Sequence, residues 1–222
     1  MPEGWEPVSS SNKSRMACHA EQGIYFKEYL GRSPATYLRA RVKGSRARRT
    51  QDNTRALNYF GIEAPQILHR GELINGHEYS ITEQAPGTSL IQWLRDLNSK
   101  YRDPQALRHE LLDAAGKFVG RIHVAGFVHG NLKPSKIIAN KTNGDFKFSL
   151  IGNENTRRQA PPSGRNLLSN LIQLNAVAGQ NLRRTDRMRF FLAWHTQMRH
   201  LSPAEAKLLA REAYTLATRQ PQ

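Results

Sequence analysis

The side chains best suited to chemistry in this sequence are cationic. There are 23 Arg and 10 Lys, and the guanidinium takes phosphate or carboxylate through two parallel hydrogen bonds. These residues cluster at Arg39, Arg41, Lys43, Arg46, Arg48 and Arg49, and again at Arg183, Arg184, Arg187 and Arg189. Such clusters either draw nucleic acid, anionic lipid head groups and phosphorylated glycans or form a solvated helix face; the sequence leaves both open. A second concentration is the polar run His129-Gly130-Asn131-Leu132-Lys133-Pro134-Ser135-Lys136. Here His129 is either a structural residue that fixes a loop or a catalytic base, the former being the commoner role. Lys133 either meets an acceptor phosphate or faces solvent. Cys18 is the single cysteine and no Cys/His cluster has zinc spacing, which excludes a disulfide framework and a zinc finger.

The elements that must position these groups can be read from periodicity and punctuation. The 222 residues carry a net charge of +15, 38% hydrophobic residues and a mean hydropathy of −0.64, enough for a sizeable core in one domain or two small lobes. Residues 1–14 are polar and read as a flexible lead-in. Residues 15–20 and 23–29 predict a strand hairpin, and a basic helical region follows from Ser33-Pro34 to Phe60, broken near Gly44 and ended by Gly61. Two strands, 66–73 and 78–83, flank Asn75-Gly76, a type I′ turn signal. After Gln84-Ala85-Pro86-Gly87, Ser89 caps a short helix and Asp103-Pro104 opens a longer one. The apolar positions of the longer helix, from Leu107 to Ile122, bury one face up to a stop at Gly126. A polar loop (128–135), a hairpin turning at Asn143-Gly144 and three helices (about 166–178, 184–200 and 202–219) complete the chain, the last opening on the capping box Ser202-Pro203-Ala204-Glu205. The first 23 residues lack an apolar run, so no signal peptide is expected, and no stretch approaches the ~18 apolar residues of a membrane span.

Phe118-Val119-Gly120-Arg121-Ile122-His123-Val124-Ala125-Gly126-Phe127-Val128-His129-Gly130-Asn131-Leu132-Lys133-Pro134-Ser135-Lys136 resembles the kinase segment H-R/G-D-L-K-P-x-N with its preceding helix. It resembles more closely the lipopolysaccharide-core sugar kinases, the Kdo kinase and heptose kinase family, whose version reads H-x-x-G-x-x-H-G-D-L. Tyr25-Phe26-Lys27 is similar to the strand bearing the phosphate-contacting lysine, and Gly61-Ile62-Glu63-Ala64-Pro65 to G-I-x-x-P after the first-lobe helix. Phe148-Ser149-Leu150-Ile151-Gly152 resembles the strand ending in L-I-D, and Thr185-Asp186-Arg187-Met188-Arg189-Phe190-Phe191-Leu192 the late T-D-R-x-R-F-L segment. The resemblance runs from about Arg15 to Leu216. It implies an α+β, bilobal protein-kinase-like fold with a reduced β-rich N-lobe (15–85) and a helical C-lobe (86–222) holding the catalytic loop and hairpin. His123, one helical turn before the loop, reads as a packing residue.

The departures from the family pattern fall on the chemistry. In phosphoryl transfer a catalytic-loop Asp orients the acceptor hydroxyl, an Asn just beyond it holds one metal ion, and the Asp of the following strand holds another. Those places read Asn131, Lys136 and Gly152 here. An amide does not accept a proton as a carboxylate does, an ammonium repels Mg²⁺, and glycine offers no side-chain ligand. Glu154 is the candidate substitute for a metal ligand. Asp52 is the only acidic residue between Tyr29 and Ile62, so it is the candidate partner for Lys27, and residues 16–22 hold no glycine for a phosphate cradle.

The leading expectation is therefore a catalytically impaired member, a pseudokinase. It would act as a binding or regulatory module on an anionic glycan, an anionic lipid surface or a protein partner. ATP binding at Lys27 stays open, with Lys136 supplying charge where a metal would sit, against the alternative that Lys27 snorkels to solvent; Mg²⁺ is not expected. The runner-up is an active ATP-dependent kinase of an inner-core lipopolysaccharide sugar that uses Glu154 for the metal. A nucleic-acid-binding protein ranks third, because Trp5, Trp93 and Trp194 are not interleaved with the basic clusters. The expected location is cytoplasmic, with peripheral attachment at the inner face of the bacterial inner membrane as an option.

Overall fold

The computed structural model describes residues 3–30, 44–100, 103–176 and 182–219. The chain divides into two compact units, Met1–Ala85 with Gly152–Asn155, and Pro86–Ile151 with Thr156–Gln222. The part of the first basic cluster at Arg39, Arg41 and Lys43, and the helix start at Ser33-Pro34, lie outside the described residues.

The first unit is an antiparallel sheet of order β1-β2-β3-β5-β4, built from β1 (Trp5–Ser10), β2 (Ser14–His19), β3 (Ile24–Tyr29), β4 (Ile67–Glu72) and β5 (Glu78–Glu83), with helix α1 (Arg46–Tyr59). Strand β1 corrects the expected flexible lead-in. It is an edge strand exposed along nearly its whole length, so it has no apolar alternation to announce it, and Trp5 anchors it edge-on to His19 and Phe26. The pleat of β3 turns Lys27 and Tyr29 toward α1 while Phe26 stacks on Tyr79 on the other face. Helix α1 has Ser45 as N-cap, but its first turn holds no acidic residue. The Glu78 carboxylate supplies the anion from β5, accepting from the Arg46 and Ala47 amides. At the other end Gly61, at φ 72°, closes the helix as expected, with the Ile62 amide reaching the Leu57 carbonyl.

The Asn75-Gly76 pair does not form the expected type I′ turn. Asn75 keeps a negative φ, Gly76 alone is left-handed, and the Gly76 amide donates to the Leu73 carbonyl. The Asn75 side chain is drawn instead to the His77 amide and to Glu28. The type I′ geometry is found at Asn143-Gly144, where both φ values are positive, 53° and 90°.

The second unit contains β6 (Thr88–Ser89), α2 (Leu90–Lys100), α3 (Pro104–Val124), β7 (Phe127–Val128), β8 (Ile137–Thr142), β9 (Asp145–Leu150), β10 (Arg157–Arg158), α4 (Gly164–Asn175), α5 (Arg184–Gln197) and α6 (Pro203–Arg219). Ser89, Asp103 and the Ser202/Glu205 pair cap their helices as the sequence suggests. Leu111, Phe118, Val119, Ile122, Leu132, Leu150 and Trp194 are buried, each contributing roughly 1.5–3 kcal/mol. Two glycines one turn apart let α5 press on α3. A Cβ at Gly116 would lie 2.3 Å from the Phe190 carbonyl oxygen, and one at Gly120 would lie 2.6 Å from the Gln197 side chain. Among the described residues, no helix is long and apolar enough to cross a membrane.

Candidate functional site

The sequence-derived candidates fall into two groups, one in each unit. In the first unit Lys27 sits mid-strand on the α1 side of the sheet. Its Nζ is 3.3 Å from Oε2 of Glu154, with the two side chains 20% and 18% exposed. Arg46, in the first turn of α1, donates through Nη2 to both carboxylate oxygens of Glu154, at 3.1 and 3.2 Å. Lys27 Nζ and the Arg46 guanidinium lie 4.7 and 4.9 Å from the centre of the Tyr29 ring. The Tyr29 hydroxyl in turn bonds Thr50 and Ser80.

The short helical turn Asn153–Asn155 that carries Glu154 is stitched to α1 by main-chain contacts. Asn53 donates to the Asn153 carbonyl at 2.7 Å and Arg49 to the Glu154 carbonyl at 3.3 Å. Burial raises the Glu154 carboxyl pKa, but the charges and hydrogen bonds of Lys27 and Arg46 outweigh it and hold the group below its ordinary value.

This geometry bears on three residues singled out in the sequence. Lys27 does not snorkel to solvent. Asp52 is not its partner: it lies one turn along α1 from Arg48, at 3.6 Å, and both side chains are mostly exposed. Each carboxylate oxygen of Glu154 accepts from a cation, Oε1 from Arg46 and Oε2 from both Lys27 and Arg46. Gly152, at φ 79°, precedes this turn.

In the second unit the loop after β7 is held by a buried chain of hydrogen bonds. The Trp194 indole donates to Nδ1 of His123 at 2.9 Å, and His123 Nε2 meets Oδ1 of Asn170 at 3.3 Å. Asn170 also accepts from the His129 amide (3.1 Å) and donates to the His129 carbonyl (2.6 Å), so one side chain caps both main-chain polar groups of that residue. Gln173, one turn further along α4, accepts from the Leu132 amide at 2.6 Å.

His129 is 1% exposed, with Nδ1 accepting from the Asn131 amide at 3.0 Å and Nε2 3.3 Å from the Ile151 carbonyl. Asn131 and Lys133 are exposed and Lys136 is half-buried. The Lys133 and Lys136 amides close successive turns onto the carbonyls of Asn131 and Lys133. Neither Asn170 nor Gln173 was legible as a site residue, because their role depends on α4 packing beside a loop about forty residues earlier in the chain.

The Arg183–Arg189 cluster is divided. Asp186 is buried and accepts from Arg108 at 2.8 Å and from the Arg183 amide. Burial raises its carboxyl pKa, and those bonds more than offset the effect. Arg187 donates to Asn175 and lies over the Tyr214 ring, while Arg184 and Arg189 are exposed. Among the described residues, no group of three or more His, Cys, Asp or Glu side chains is placed to hold a metal.

Residues 8–193 match the family model described as the lipopolysaccharide kinase (Kdo/WaaP) family. A search of curated proteins returned no match. Among solved structures, WaaP in complex with acyl carrier protein aligns at a TM-score of 0.64 and 20% identity, covering 95% of this chain and 88% of that one. A crystal structure of WbdD aligns at a TM-score of 0.56 and 14% identity over 98% of this chain. A second structure, of the bifunctional kinase-methyltransferase WbdD, aligns at 0.52 and 16% identity over 90% of this chain. The chain spans 47% of the WbdD chain in both. These likenesses show a protein-kinase-like fold.

Proposed function

The chain belongs to the lipopolysaccharide kinase (Kdo/WaaP) family, and on that premise we propose that it is a member without magnesium-dependent phosphoryl transfer, serving as a binding or regulatory module. The observation that carries this reading is the engagement of Glu154: both oxygens of the carboxylate that Lys27 contacts are taken by Lys27 and Arg46. The donor set available to a magnesium–nucleotide does not fit it. Gly152 has no side chain, Lys136 brings positive charge, and Asn131 offers an amide where an acceptor hydroxyl needs a carboxylate. No transfer step is therefore assigned to these residues.

The net charge of +15 and the exposed Arg184, Arg189 and Arg157 favour an anionic partner: a glycan, a lipid surface or a protein with an acidic face. WaaP was solved with acyl carrier protein, which makes a carrier protein the first partner to test on this chain. A cytoplasmic place at the inner face of the inner membrane belongs to the same reading.

The test is phosphoryl transfer from labelled ATP to lipopolysaccharide core with Mg²⁺, on wild type and Lys27→Ala. Equal, background-level label in both is expected. Transfer that needs Mg²⁺ and is abolished by Lys27→Ala would overturn the reading in favour of an active sugar kinase.

A further inference from the structure

We propose that the Glu154 side chain is a built-in counter-anion that keeps the Lys27–Arg46 pair shut, and that when it swings away the pair takes a phosphate-class anion without a divalent cation. The proposal rests on the reading of this chain as a member that does not transfer phosphate.

Two cations share one carboxylate, so the cluster keeps a net positive charge even when closed. The cations are also held independently of Glu154. Both lie against the Tyr29 ring, Arg46 donates through Nη1 to the Lys13 carbonyl at 2.8 Å, and the Arg46 amide is fixed by Glu78. Removing the carboxylate therefore leaves two donors in place for another anion, with little ordering left to do. The turn that carries Glu154 is likewise held without its side chain, through the Asn53 and Arg49 bonds to main-chain carbonyls. Opening thus requires rotation of one side chain rather than release of a segment. A phosphate group offers more charge and more acceptor oxygens than the carboxylate it displaces, and a positive pair replaces the metal ion as the source of neutralising charge.

The experiment is calorimetric titration of the full chain with inorganic pyrophosphate and, separately, with ATP, both in EDTA. Glu154→Gln keeps the shape and removes the charge; it is expected to bind at least about tenfold tighter than wild type. The gain should vanish in Lys27→Ala/Glu154→Gln. Equal gains for pyrophosphate and ATP would identify the phosphate chain as the ligand, and a larger gain for ATP would identify a nucleotide; either supports the proposal. Glu154→Asp, which withdraws the carboxylate by one methylene, should show an intermediate gain and serves if the Gln variant does not fold. A folded Glu154→Gln that binds neither anion more tightly than wild type, or a gain that survives loss of Lys27, would overturn it. Magnesium-dependent transfer by the wild type would sink the preceding reading instead, and does not change the comparison in EDTA.

Discussion

The Trp194 indole donates to Nδ1 of His123, and this bond leaves the imidazole neutral with its proton on Nε2, facing Asn170. Charging the ring would place a proton against an N–H donor in a site with no solvent exposure.

Burial, which outweighs the Asn170 hydrogen bond, lowers the His123 pKa from 6.5 to about 4. The unfolded chain then binds more protons than the folded one between these values. The contribution of the neutral His123 to stability is complete above pH 6.5 and is lost as pH falls toward 4. Denaturant unfolding at pH 5.0 should yield roughly 2 kcal/mol less than at pH 7.5. His123→Gln, which has nothing to titrate, should lose most of that difference. If the two pH dependences coincide, His123 is not the group responsible.

Asn170→Ala leaves the His129 peptide and the His123 ring without their partner. The expected cost is about 2–4 kcal/mol, for several buried polar groups left unsatisfied. Hydrogen exchange at the amides of His129, Asn131 and Leu132 should accelerate together. A loss of stability with those amides still protected would mean that the loop is held by something else.

Gly116→Val forces a branched side chain into the Phe190 backbone and should cost roughly 3 kcal/mol or more. Gly164 has nothing within 4 Å of a built Cβ, so Gly164→Ala at the start of α4 should be neutral or stabilise by about 0.5 kcal/mol. Thermal melts of the two variants therefore shift in opposite directions or by very different amounts. Similar shifts would show that the α3–α5 seam can relax.

Asn131→Asp, Lys136→Asn and Gly152→Asp together return the family's acidic and amide groups. Gly152 adopts φ 79°, so Asp there carries roughly 1 kcal/mol of backbone strain, and Glu154 still occupies Lys27. The triple variant is expected to gain no Mg²⁺-dependent ATP binding, and the quadruple variant with Glu154→Gln to gain it. Calorimetry with and without Mg²⁺ decides; a gain in the triple variant would show that Glu154 is no obstacle.

Much of the fold was legible because its signals are local. Ser89, Asp103 and Ser202 act within three residues of where they stand, and Gly61 and Gly126 stop helices by their own backbone freedom. Strand β1 was not, because an edge strand wet on both faces has the composition of a tail. The loop at His129–Lys136 could be found from its residues, and so could the loss of acidic groups there. The pairing of Lys27 with Glu154 could not: the residues are 127 positions apart, and no periodicity reports an ion pair across that distance. Asp52 looked like the partner only because it was the one acidic residue between Tyr29 and Ile62, the stretch that holds the first-lobe helix. The Glu78 cap of α1 escaped for the same reason, as did Asn170 and Gln173, whose amides look like ordinary helix surface until α4 is placed.

The first unit is not a continuous stretch of chain, since it is completed by Gly152–Asn155. During synthesis, residues 1–85 emerge from the ribosome with Lys27 and Arg46 lacking their carboxylate, and with the α1 face of Arg46, Arg49 and Asn53 uncovered. More than sixty further residues must be made before that face is satisfied, so this unit matures late despite being translated first. A fragment ending at Ala85 is for the same reason an incomplete body rather than a separable one.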